Sequence, residues 1–137
     1  MSFYNKDCPN RQYFLLWDAN QELIKSYVEV DEPRSEYNDD EKMKCILTDQ
    51  PYYEYPGIKL PAYLKLTDNG IEVYSGKKIG RISKSCEEYV RDVFLFCEYR
   101  CQVALGGGMC ANLINGEIYR DYDEYFAILE LAHWYPR

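Results

Sequence analysis

Apolar and polar positions alternate most regularly between Ala62 and Ile82, where "AYLKL", "IEVY" and "IGRI" are separated by "TDNG" and "SGKK". A period of two is that of a half-buried strand, and it puts Tyr63, Lys65 and Thr67 on one face, Leu64 and Leu66 on the other. Asn69-Gly70 and Ser75-Gly76 supply the positive φ that tight turns need. The stretch predicts a three-stranded antiparallel meander with Lys77 and Lys78 at its second tip. Beyond it the period lengthens. Tyr89, Val90, Val93, Phe94 and Cys97 form one stripe of an amphipathic helix, Ser85 and Glu88 have capping-box spacing, and the helix should end near Arg100.

The pattern is less decisive on either side. "YFLLW" (13–17) and "ELIKSYVEV" read as strand, turn and strand, although Ile24 and Val28 also suit one short helix. "DEPRSEYNDDEK" predicts an exposed loop and "MKCILT" a short strand. The three prolines of "DQPYYEYPGIKLP" exclude a central strand and suggest an extended surface loop carrying Tyr52, Tyr53 and Tyr55. Asn115-Gly116 between apolar runs signals a second hairpin, and "GGGMC" reads as a tight loop between strands. "DEYFAILELAHWY" is read as a helix capped by Asp123 and burying Phe126, Leu129 and Ala132, with a central strand as the other reading. The sum is an α+β, β-dominated single domain over residues 1–137: an antiparallel meander, one amphipathic helix packed on it and a second hairpin.

Composition narrows the function classes. At 137 residues with 47% apolar content the chain can bury its own core. The net charge is −7, and residues 1–56 hold 12 acidic against 6 basic side chains, so most of the excess lies there. That balance disfavours broad binding to duplex phosphate and favours a basic partner. Fifteen tyrosines suit either cross-strand packing or a contact surface. The start "MSFYNKDCPN" lacks the features of a secretory signal and no apolar run approaches a membrane span, which leads to the expectation of a cytoplasmic protein with reduced thiols.

Catalytic signatures are sparse. His133 has no local partner motif, and neither GxSxG nor HExxH occurs. Cys97 and Cys101 are four apart and could be joined by Cys86 and Cys110, but a zinc ribbon needs two close pairs, so no metal and no cofactor are expected. Asp40-Glu41-Lys42 has the form of a nuclease D-x-K element, yet lies in a charged loop rather than at a strand end.

Val73, Tyr74, Gly76, Lys78, Ile79, Gly80 and Ile82 resemble the HIRAN domain, which ends a strand in a V-Y-like pair and follows it with G-x-K-I-G-Y-I. The order strand, turn, "KKIGRI", helix and strand over 61–105 is also similar, although Arg81 replaces the family's aromatic residue. That resemblance implies a small β-rich fold binding single-stranded DNA ends, with Lys77, Lys78 and Arg81 facing phosphate and Tyr63 and Tyr74 stacking on bases. The charge suggests a different role. Between Glu29 and Glu41 seven carboxylates stand against one arginine. In size and charge the chain resembles small acidic phage inhibitors such as anti-CRISPR proteins, acting in the host cytoplasm. The leading expectation is a non-enzymatic protein that engages a basic, nucleic-acid-binding effector through Glu32, Glu36, Asp39, Asp40, Tyr52, Tyr53 and Tyr55.

Overall fold

Two antiparallel sheets and two helices make up the computed structural model, which describes residues 9–30, 43, 52, 53, 55 and 57–134, with Tyr52, Leu113 and Ile118 described by their backbone alone. The larger sheet takes β1 (Asn10–Leu15), β8 (Glu117–Trp134) and β7 (Glu98–Ile114) in that order. Two short strands, β2 (Tyr52–Tyr53) and β3 (Ile58–Pro61), pair side by side along the other edge of β7. The smaller sheet is the predicted meander: β4 (Tyr63–Thr67), β5 (Gly70–Ser75) and β6 (Lys77–Arg81). Gly70 and Gly76 have φ of 134° and 74°, the positive values their turns require. The fold is thus α+β and dominated by strands.

The inner faces of the two sheets meet in one core. Leu64, Ile71, Val73 and Ile79 come from the meander, and Val103, Leu105, Ala127, Leu129 and Leu131 from β7 and β8. Each of the Val, Leu and Ile side chains contributes about 1.5–3 kcal/mol when fully buried. Helix α1 (Gln21–Val28) adds Ile24 and Val28 and lies against β7 and β8; α2 (Lys84–Phe96) adds Val90 and Val93 and touches β5 and β7. The sheets are tied at one corner, where Trp17 and Arg81 exchange backbone hydrogen bonds of 2.8 and 2.9 Å. A Cβ at Gly80 would come within 2.9 Å of the Trp17 carbonyl, so this crossing needs glycine there.

Several expectations are corrected. The chain after Asp18 is helical, because Asn20 caps α1 by accepting from Leu23 N–H at 3.1 Å and the four-residue spacing of Ile24 and Val28 then faces the core. The residue at the N-cap of α2 is Ser83, so Ser85 caps nothing, and the helix stops at Phe96 because β7 begins at Glu98. Residues 117–134 are one strand rather than a hairpin return followed by a helix. With β1 and β7 on either side, Tyr125, Ala127, Leu129 and Leu131 are buried at period two. The proline-rich stretch contributes edge strands instead of a loop; prolines suit an edge that lacks a second neighbour. Of "MKCILT" only Met43 is described, and it is helical.

The triple glycine lies inside β7, not in a loop. Gly106 pairs with Phe126 and Gly108 with Asp123, so one β7 residue, Gly107, faces two on β8, Glu124 and Tyr125. Helix α1 grips this irregularity at both ends. The Gln21 amide accepts from Tyr125 N–H and donates to Tyr125 C=O, both at 2.8 Å, replacing the missing ladder bonds. The buried Tyr125 hydroxyl donates to Glu29, just past the end of α1. Burial, reinforced by that carboxylate, pushes the phenol's pKa well up.

Candidate functional site

Glu32, Glu36, Asp39 and Asp40 lie outside the described residues. Tyr52 and Tyr53 form β2, so they sit on a sheet edge and not in a loop. The Tyr53 hydroxyl donates to Asp123 at 3.1 Å while its ring meets Phe126 edge-on. Burial, then the Asp123 hydrogen bond, raise the Tyr53 pKa to about 12. Tyr55 is half-buried against the core. Tyr53 and Tyr55 are therefore structural tyrosines more than displayed ones.

Carboxylates and exposed tyrosines do come together, on the far end of the β7–β8 hairpin. β2 pairs with Ala111 and Cys110, and past that point β7 and β8 have, among the described residues, only each other. The arm turns at Asn115-Gly116, whose φ values of 51° and 82° are those of a type I′ hairpin turn. Residues 117–124 carry Glu117, Asp121, Asp123 and Glu124 against Arg120. Ile114, Tyr119 and Tyr122 are each at least half exposed. An isolated two-stranded ribbon is marginal in water, and the exposed parts of these side chains leave apolar area facing solvent. The signal was legible in "EIYRDYDEY", which alternates acid and tyrosine; what the sequence does not reveal is where the supporting third strand stops.

A second surface gathers the nucleic-acid set. Tyr63, Tyr74 and Lys78 are cross-strand neighbours on the outer face of the meander, with Lys65, Glu72 and Arg81 in the adjoining row. The Tyr63 and Tyr74 rings stack at 5.3 Å with 15° between their planes. The Lys65 ammonium lies 5.6 Å from the Tyr74 ring centre, and the Arg81 guanidinium 5.7 Å from that of Trp17. Much of the positive charge is already matched. Lys78 pairs with Glu72 at 2.6 Å, holding that carboxyl below its ordinary pKa, and Arg81 bonds Asp18. Lys77 is exposed beside the Gly76 turn, and Lys78, also exposed, has the Glu72 carboxylate as a neighbour as well as water.

Asp40, Glu41 and Lys42 lie outside the described residues, and among the described residues the remaining candidates show no catalytic arrangement. His133 is buried, with Nε2 3.4 Å from the Tyr89 hydroxyl, and burial lowers its pKa. Cys86, Cys97, Cys101 and Cys110 are free thiols. Burial raises Cys101 and Cys110 to about 11, which removes the thiolate that nucleophilic chemistry requires. Among the described residues no three histidine, cysteine or acidic side chains converge on a metal position, and no helix is long and apolar enough to cross a membrane. No family model, curated protein or solved structure matches this chain.

Proposed function

We propose that the protein is a non-enzymatic binding protein, and that the acidic arm at the end of the β7–β8 hairpin docks onto a basic protein surface, including that of a nucleic-acid-binding effector. The observation that carries this reading is the arm itself: a ribbon with no third strand among the described residues, which exposes Ile114, Tyr119 and Tyr122 among four carboxylates. The net charge of −7 would steer a cationic partner, while the tyrosines supply the contact area that holds it. The segment with Glu32, Glu36, Asp39 and Asp40 adds charge of the same sign. Glu117→Lys combined with Asp121→Lys should cut association steeply at low salt and flatten its salt dependence; Tyr119→Ala should mainly speed dissociation. The test is affinity capture on wild-type and variant protein at two salt concentrations, read by mass spectrometry. A captured set that is unchanged by either variant, or that is not basic, would refute the reading.

A second reading rests on the Tyr63–Tyr74 stack. With Lys65, Lys77 and Arg81 around it, the outer face of the meander has the aromatic and cationic composition of a single-strand-binding platform, as the HIRAN-like resemblance implies. On this reading a labelled single-stranded oligonucleotide binds at low salt, and Tyr63→Ala or Tyr74→Ala each weakens it by about 1–3 kcal/mol. No change in anisotropy at low salt with protein raised to about 100 μM, the weak end of sequence-independent binding, would eliminate it.

A further inference from the structure

On the outer face of the large sheet, opposite the core, Arg11 on β1 and Arg100 on β7 both stand directly across from Ala132 on the strand between them. Residues in register on adjacent strands share a face, and two strand spacings put the two α-carbons about 10 Å apart. The methyl of Ala132 leaves a gap between the long side chains. A cleft of about 320 Å³ opens there, walled further by Pro61, Gln102 and Glu130.

The charges in this cleft are unusual for so acidic a chain. Neither Arg11 nor Arg100 has an ion-pair partner among the described residues. The Glu130 carboxylate, on the same face, is held by Lys59 at 2.9 Å and hydrogen-bonded by Gln102. Glu98 accepts the Trp134 indole N–H at 2.7 Å. Arg100 lies over the Trp134 ring, 5.2 Å from its centre, a cation–π contact that helps hold it at the cleft. The nearest acids are thus engaged, and two guanidinium forks are left facing one gap. The Glu130 carboxylate, paired with Lys59, also feels the charge of Arg11, so Arg11, Arg100 and Lys59 set against Glu130 leave two positive charges to be matched.

We propose that this cleft binds a phosphate monoester group, with Arg11 and Arg100 as its two arms. The guanidinium fork matches tetrahedral oxyanions bidentately, and a dianion balances the pair. A monocarboxylate has one charge and two oxygens, and leaves one arginine uncompensated.

The probes are inorganic phosphate and phenyl phosphate, titrated calorimetrically into the whole protein and followed in parallel by thermal melting. Sodium chloride at matched ionic strength and phenylacetate serve as comparisons. The expected result is saturable binding and a rise in melting temperature with both phosphates, with an affinity loss of about tenfold or more in Arg11→Gln and again in Arg100→Gln. Arg11 does not stack on Trp134, so Arg11→Gln reports on the cleft even where Arg100→Gln lowers stability. The proposal is overturned by the absence of saturable binding, by an Arg11→Gln variant that binds as wild type does, or by phenylacetate binding as tightly as phenyl phosphate.

Discussion

Gly107→Ala should destabilise the protein by about 3 kcal/mol or more, lowering its melting temperature on the order of 10 °C. Two penalties coincide at this residue. Its φ of +101° is a conformation that L side chains rarely adopt. The added methyl would also sit 2.4 Å from the Glu124 carbonyl oxygen and 2.8 Å from the Tyr125 α-carbon. Both obstacles are backbone of a central strand, which cannot rotate away as a side chain could. Gly116→Ala separates the two costs. Its φ is +82°, but nothing lies within 4 Å of the new methyl, so the strain stands alone at about 1–2 kcal/mol. Calorimetric melting of the pair checks this, and equal losses would mean that the clash at Gly107 relaxes freely.

Gln21→Ala should cost about 2 kcal/mol, from two backbone groups of Tyr125 that lose their partners together. The exposure of Gln21 lets water recover part of the loss, which keeps the figure below the sum of two fully buried deletions. Gln21→Glu is the sharper probe. A carboxylate still accepts from Tyr125 N–H but cannot donate to its carbonyl, and it faces that oxygen with negative charge. Its stability should therefore fall too, while the Tyr125 amide stays protected. Denaturant midpoints and hydrogen exchange at Tyr125 read the two effects separately. Unaltered exchange in Gln21→Ala would show that the amide does not hold the strand.

The difference between these two positions and the meander explains what could be read in advance. The meander was legible because each decision in it is local: Asn69-Gly70 and Ser75-Gly76 set the turns, and Leu64 and Leu66 set the faces. Asn115-Gly116 marked the second hairpin for the same reason. β8 was not legible as a strand beyond Tyr122. "FAILEL" satisfies helix and strand alike, and the choice is made by β1, more than a hundred residues away, pairing with it. The bulge depends on Gln21 reaching Tyr125 across the fold, a contact with no sequence signature. At the candidate sites, the HIRAN-like resemblance groups Tyr63, Tyr74, Lys78 and Arg81, but the Glu72 and Asp18 carboxylates that pair with Lys78 and Arg81 come from register and from a corner crossing. The arginine pair was missed because Arg11, Ala132 and Arg100 are brought together by strand order.

The pairing of β1 with β8 also orders events during synthesis. Asn10 is matched with His133, so the first described strand has no partner until the chain has been made to the end of the last one. By then the β7–β8 hairpin can zip from its own tight turn in microseconds. Closing the remaining loop is the expensive step, and it comes late. During that wait the edge of β8 that β1 later covers is an open row of backbone donors and acceptors, the kind of template that invites a foreign strand.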